Sequence, residues 1–146
     1  NVNDRTKINF AKLGEVVQRL NTKSVHTIAR ISVFQNPLLS ASHPELTIKT
    51  AGGASWHDSH GQAWIDPSNK KAWVQILELS RKAINLGFRE VNYDYIRFPS
   101  DGNLASAVYA NHSARTPKNN TINEFSQFLK DSLKLVFCHH SHGYNL

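Results

Sequence analysis

The stretch LGFREVNYDYIRFPSDG, residues 86–102, contains a run of β-branched and aromatic residues between two breaks in regular structure. Gly87 precedes the run, and Pro99 and Gly102 follow it. This punctuation predicts a β-strand over residues 90–98 that ends in a polar loop.

The two faces of this predicted strand differ. Side chains alternate along a strand, so Asn92 and Asp94 share one face while Val91 and Tyr93 share the other. The apolar pair suits the layer between a sheet and its helices, which turns Asp94 toward the opposite side. A carboxylate buried there is costly unless it is paired or used. Two interpretations stay open on this pattern: Asp94 is a functional group, or it is half of a structural ion pair.

An earlier run, VHTIARISVF at residues 25–34, is mostly uncharged on both faces, with Arg30 as the exception. It predicts a strand that is buried on both sides, as in a parallel sheet. If the face that carries Arg30 is also the face that carries Asp94, the two charged groups lie at similar heights. A nearby arginine favours the ionised form of an aspartate, which a nucleophile or general base requires. A purely structural pair of Asp94 with Arg30 or Arg97 is the alternative.

Three helices are predicted around these strands. Apolar residues at three- and four-residue spacing predict the first over residues 10–21. Asp66 as N-cap, with Pro67 at the first helical position, predicts the start of the second, and Gly87 follows its end. A capping box at Thr121 predicts the third. Helices that alternate with strands indicate the α/β class with a parallel sheet.

The loops favour one α/β architecture over another. Neither strand is followed by the glycine-rich turn of a dinucleotide-binding fold. Each ends instead in polar residues and a long loop, residues 35–66 and 100–120, which is typical of a (β/α)8 barrel. Such a barrel takes about 250 residues. The prediction is therefore an incomplete TIM barrel built of parallel β/α units, with about three of the eight units present.

The loop over residues 35–66 holds two tryptophans, Trp56 and Trp64, among polar residues. Tryptophans on a rim commonly stack on sugar rings while their polar neighbours bind the hydroxyls. The alternative is that Trp64, together with Trp73 on the predicted helix, only packs the loop onto the barrel.

Two histidine groups are weak metal-site candidates. His57 and His60, together with Asp58, lie in the same loop, and the stretch from Cys138 to His142 holds one cysteine and three histidines. Neither has convincing ligand spacing, so no metal and no cofactor are predicted.

Composition excludes several classes. The formal charge is +6, but lysines and arginines are scattered, with Lys70-Lys71 as the densest cluster, so nucleic-acid binding ranks below a solvated basic surface. No apolar run approaches the roughly 20 residues of a membrane span. The chain starts at Asn1, has no methionine and shows no signal-peptide pattern, which suggests a piece of a longer chain.

Four motifs in series carry a family resemblance. They are TIARISVFQNPLL (27–39), HPEL (43–46), GQAWIDPSNKKAW (61–73) and the stretch at 86–102. Their order resembles that of the putative glycoside-hydrolase domain family of bacterial TIM-barrel proteins, over residues 8–135. The resemblance implies a barrel related to the α-amylase-like hydrolases. Residues 1–146 are then one partial domain around the third and fourth barrel strands, with an atypical tail at residues 136–146.

The resemblance also implies a site. In that wider group the fourth strand ends in the catalytic aspartate, which corresponds to Asp94 here. The residues expected to line or support a carbohydrate site are Arg30, Trp56, Trp64, Asp66, Tyr95 and Arg97. Glycoside hydrolysis normally uses two carboxylates. Asp58 and Asp101 are poor candidates for the second because both lie in loops, so it is expected outside this chain.

Three functions are ranked on this basis. The first is a glycoside hydrolase of which this chain carries half the site and is inactive alone. The second is a non-catalytic glycan-binding barrel, in which Trp56 and Trp64 grip the sugar. The third is a nucleic-acid binder. Glycan identity and oligomeric state stay open, and an extracytoplasmic or secreted location is compatible with the sequence.

Overall fold

The computed structural model describes residues 9–113 and 115–133. Within these ranges the main elements are four α-helices and two strands. The strand predicted to begin at Leu135 and the tail at residues 136–146 lie outside the described residues. In chain order the elements are α1 (Phe10–Thr22), β1 (Ile28–Ser32), α2 (Pro37–Ser42), α3 (Lys70–Asn85), β2 (Glu90–Asp94) and α4 (Lys118–Leu133).

The two strands pair in parallel, which confirms the predicted parallel sheet. Ile28 lies opposite Glu90, and Ser32 lies opposite Asp94. Both strands are shorter than predicted. β2 ends at Asp94 because Tyr95 has a φ of 55°, outside the extended region.

Alternation along the strands separates two faces of the sheet, as predicted. On one face Ile31 is buried, and the Tyr93 hydroxyl donates to the Ser80 hydroxyl of α3 at 2.8 Å. On the other face Arg30 and Asn92 are exposed, since no described element covers them. The sheet is therefore packed on the helical side and bare on the side that carries the charged residues.

Both outer edges of this sheet lack a strand partner among the described residues. A mainly apolar cleft of about 440 Å³ runs along the edge of β1. Phe10 and Leu13 of α1 line it on one side, and Leu79 and Ala83 of α3 line it on another. Space of this kind beside an unpaired edge suits a further strand.

The start of α3 differs from the prediction. Asn69 is the N-cap, and its side chain accepts a hydrogen bond from the Lys71 amide at 3.1 Å. The assignment of Asp66 as N-cap is wrong, because its carboxylate bonds elsewhere. At the other end Gly87 follows the helix with a φ of 95°, as its sequence position predicts.

α4 begins one turn earlier than predicted, at Lys118. Thr121 is therefore inside the helix rather than at its cap, and it is buried.

The core joins the sheet, α3, α4 and the connection between β1 and α3. Phe125 of α4 packs on Phe34 and on Trp73, with ring centroids 5.1 and 5.6 Å apart. The connection is not structureless. It holds α2 and a short 3-10 helix, and Thr47 pairs with Ile65 in an antiparallel bridge. No helix within the described residues is long and apolar enough to cross a bilayer.

Candidate active site

Asp94 lies at the carboxyl end of β2 and is held by two partners. Arg30 Nη2 donates to its Oδ2, and the Tyr95 amide donates to its Oδ1 at 2.9 Å. The pairing of Asp94 with Arg30 confirms the arrangement predicted from strand alternation. The Asp94 side chain remains 32% exposed, and that of Arg30 is 73% exposed. Asp94 is thus fixed in position and still open to the bare face of the sheet.

The turn after β2 assembles an aromatic and cationic cluster. The ring of Tyr95 meets that of Trp64 edge-on, with centroids 6.4 Å apart. The Arg97 guanidinium lies 5.0 Å from the centroid of Trp64 and 5.7 Å from that of Tyr95. The structure therefore brings Tyr95, Arg97 and Trp64 together at the strand end that carries Asp94.

Trp56 and Trp64 do not present open faces. They are 2% and 1% exposed. Trp56 Nε1 donates to the Asn103 carbonyl at 2.9 Å, and Trp64 Nε1 donates to Asp58 Oδ2 at 2.8 Å. Burial on this scale corrects the expectation that sugar rings stack on these indoles. They pack the connecting loops onto the core, which for Trp64 is the alternative given above.

Asp66 is also not a ligand-facing residue. It is 1% exposed, and it accepts hydrogen bonds from the Ser68 amide and hydroxyl, both at 2.8 Å. Its other oxygen accepts from the Ala110 amide at 2.6 Å. The expectation that Asp66 binds substrate is corrected by this bonding. Asp66 instead ties the loop after β2 to the segment before α3.

Asp58 plays a similar part on the other side of the site. It is buried, and its Oδ1 accepts from the amides of His60 and Gln62 at 2.9 Å each. Burial raises the pKa of Asp58, whereas the hydrogen bonds from Trp64 and from these amides lower it. The lowering effect is larger, so the pKa of Asp58 lies below its ordinary value. The sequence alone predicts Asp58 to be a loop residue and a poor candidate for the second carboxylate. The available signal was an aspartate three residues before Gly61, which favours a side-chain-bonded turn.

Two ionisable residues of these loops, His60 and Asp101, face solvent. His60 Nδ1 lies 3.7 Å from Asp101 Oδ2, and both side chains are largely exposed. Within residues 9–113 and 115–133, no group of three or more His, Cys, Asp or Glu side chains is arranged to hold a metal ion. The candidate from Cys138 to His142 lies outside those ranges.

A second aromatic cluster borders the loop that Asp66 secures. Tyr109 packs against Phe98 and His112, with centroids 5.1 and 5.7 Å away. The Tyr109 hydroxyl and His112 Nδ1 are buried and have no hydrogen-bond partner among the described residues. Burial, and secondarily the charge of Asp66, raises the pKa of Tyr109. Sequence reasoning gave no sign of this cluster.

The chain belongs to the family described as "Putative glycosyl hydrolase domain", whose family model matches residues 1–141. Membership agrees with the resemblance carried by the four motifs. No curated protein gives a significant match.

Solved structures place the chain among mixed α/β folds that include a glycosidase. A hypothetical protein from Ruminiclostridium thermocellum ATCC 27405 is 33% identical with a TM-score of 0.72, over 86% of this chain and 62% of that one. The α-galactosidase TtGalA from Thermus thermophilus, in complex with p-nitrophenyl α-D-galactopyranoside, is 15% identical with a TM-score of 0.57. That match covers 82% of this chain and 24% of the α-galactosidase. The chain therefore spans less than two thirds of either protein.

Proposed function

We propose that this chain contributes the third and fourth strands of a glycoside-hydrolase (β/α)8 barrel. Three features support the proposal: the two strands are parallel, one sheet face is bare, and both outer edges lack partners among the described residues. The likeness to an α-galactosidase agrees with it at the level of the fold. In a closed barrel the bare face becomes the interior, and the carboxyl end of β2 becomes part of the active-site rim.

Asp94 is the catalytic carboxylate of this proposal. The observation that carries it is the contrast among the acids at this end of the sheet. Asp58 and Asp66 are buried and engaged by internal donors, whereas Asp94 is positioned at a strand end and partly open. A group that must reach a substrate needs both fixed geometry and access.

The chemistry follows from the charge that develops during glycosidic cleavage. The transition state resembles an oxocarbenium ion, so a carboxylate beside the anomeric carbon stabilises it as nucleophile or as the base that activates water. Arg30 holds the Asp94 carboxylate in place for either role. A second carboxylic acid has to protonate the leaving oxygen, and it is expected from the part of the barrel that this chain does not supply.

Non-catalytic glycan binding is not favoured by the geometry. That alternative relied on exposed indoles at Trp56 and Trp64, and both are buried. The open polar surface lies around Asp94 and Arg97 instead.

The proposal is tested in the longer Ruminiclostridium thermocellum relative, at the position aligned with Asp94. The parent protein is assayed on a panel of aryl glycosides and oligosaccharides, and the Asn variant is then assayed on the substrates that it cleaves. We expect turnover to fall by about a thousandfold or more, since loss of a nucleophile or base removes a main part of catalysis. The control is a carboxylate-to-amide substitution at an exposed position of a helix, on the side of the sheet away from the proposed site. Unchanged turnover in the Asn variant would overturn the assignment.

A further inference from the structure

Arg97 is a cation without an ion-pair partner among the described residues. Its Nη1 donates to the Ser100 hydroxyl at 2.9 Å and to the Phe98 carbonyl at 3.3 Å. A guanidinium has five N–H donors in a rigid plane, so most of its donors stay available to a ligand.

The aromatic packing fixes where that plane lies. The guanidinium sits over the buried ring of Trp64 and beside Tyr95. Stacking on an aromatic ring restricts the side-chain rotamers before any ligand binds. Less conformational entropy is then lost when a ligand binds. Arg97 is therefore preorganised, although it is exposed.

Three acids at this end of the sheet have partners other than Arg97. Asp94 pairs with Arg30, and Asp58 accepts from Trp64. Asp101 accepts from the Ser59 hydroxyl at 3.1 Å. Because none of these carboxylates pairs with Arg97, its guanidinium is open to an anionic ligand.

We infer that Arg97 is a specificity-determining residue and that the site takes an acidic carbohydrate, one with a carboxylate or a sulfate ester. The inference rests on the proposed function and names its substrate class. A planar guanidinium matches either anionic group through two parallel hydrogen bonds. Only Tyr95 and Ile96 separate Arg97 from Asp94 along the chain. An anionic substituent at Arg97 would therefore belong to a sugar close to the reacting one.

Binding to the 146-residue chain tests this without turnover. Amide chemical shifts are followed by NMR during titration with pairs of trisaccharides that differ only in charge. The pairs are galacturonate with galactose, glucuronate with glucose, and mannuronate with mannose; sulfated forms of the three neutral trisaccharides separate sulfate from carboxylate recognition. We expect at least one acidic ligand to bind tenfold or more tightly than its neutral partner.

Variants assign the preference to Arg97. In Arg97→Gln the affinity for the acidic ligand should fall by about tenfold, while the affinity for the neutral ligand should stay unchanged. Arg97→Lys keeps the positive charge but not the planar guanidinium, so its affinity for the acidic ligand should fall by about threefold. Arg19→Gln on α1 removes the same charge far from the site and should keep the full preference. Thermal unfolding of each variant checks that it is folded.

Three results would overturn the inference: no acidic ligand binds more tightly than its neutral partner, Arg97→Gln weakens both members of a pair equally, or Arg19→Gln removes the preference as Arg97→Gln does. Failure of the proposed function is a separate result, because it is read from turnover of the longer relative at the position aligned with Asp94.

Discussion

Two regions at the same end of the sheet use aspartate in opposite ways. In the loops, Asp58 and Asp66 are almost completely buried, and each accepts at least three hydrogen bonds. At the strand end, Asp94 has two partners and keeps a third of its side chain exposed. The difference separates the carboxylates that hold the loops from a carboxylate that is positioned at a strand end and stays partly open. Replacement of Asp58 or Asp66 should therefore lower the stability of the protein, whereas replacement of Asp94 should lower its activity.

The largest stability effect is expected at Asp66. Asp66→Ala leaves the Ser68 and Ala110 amides without their acceptor, and the unfolding free energy should fall by about 3 kcal/mol. Urea denaturation measures the change. Asp131→Ala, at an exposed position of α4, is the matched control and should stay within about 0.5 kcal/mol of the parent. Equal losses in the two variants would remove the structural role given to Asp66.

Asp58 should show the next largest effect, together with a defined pH dependence. Asp58 accepts a fourth hydrogen bond, from Gln35 Nε2 at 3.4 Å, beside those from His60, Gln62 and Trp64. Asp58→Asn should cost about 2 kcal/mol at pH 7, because an amide oxygen accepts fewer of these four hydrogen bonds. The folded pKa lies below the ordinary value of 3.8, so the contribution is present above that pH and is lost as pH falls through the lowered pKa.

The measurement is the unfolding free energy of parent and Asp58→Asn between pH 2.5 and 7. The difference between the two proteins should shrink as the solution becomes more acidic below about pH 4. A difference that stays constant over this range would contradict the lowered pKa.

At Tyr109 we expect a substitution to preserve or raise the stability of the protein rather than to lower it. Its buried hydroxyl has no partner among the described residues, so Tyr109→Phe should leave stability unchanged or raise it by about 1 kcal/mol. Tyr93→Phe is the comparison, since the Tyr93 hydroxyl donates to Ser80 and its removal should destabilise the protein. Thermal unfolding distinguishes them, and a destabilised Tyr109→Phe would show that this hydroxyl is satisfied.

The smallest stability effect is expected at Asp94. The Asp94–Arg30 pair is largely exposed, and exposed pairs contribute about 0–1 kcal/mol. Asp94→Asn in this chain should therefore unfold within about 1 kcal/mol of the parent in urea. A loss as large as that of Asp66→Ala would make Asp94 a structural residue.

The sheet and its charged pair could be predicted from the sequence because both depend on local pattern. Alternation within β2 separates Asp94 from Tyr93, and the breaks at Gly87 and Pro99 mark the segment. Arg30 could be matched to Asp94 once the strands were taken to be parallel. These inferences use spacing along the chain, which the sequence displays directly.

The loop roles could not be predicted because they depend on contacts between distant residues. Trp56 is satisfied by Asn103, 47 residues away, and Asp66 by Ala110, 44 residues away. The Asp66-Pro67 pair has the appearance of a helix start, but Asn69 caps α3. The positive φ of Tyr95 also overrides the β preference of the run that follows it.

The central claim is that Asp94 acts in catalysis whereas Asp58 acts in structure. The most direct measurement is kcat in the Ruminiclostridium thermocellum relative, for Asn variants at the positions aligned with Asp94 and Asp58, at a temperature where both are folded. The account predicts a fall of a thousandfold or more for the first and of less than tenfold for the second. Comparable losses in the two variants, or full activity in the first, would contradict it.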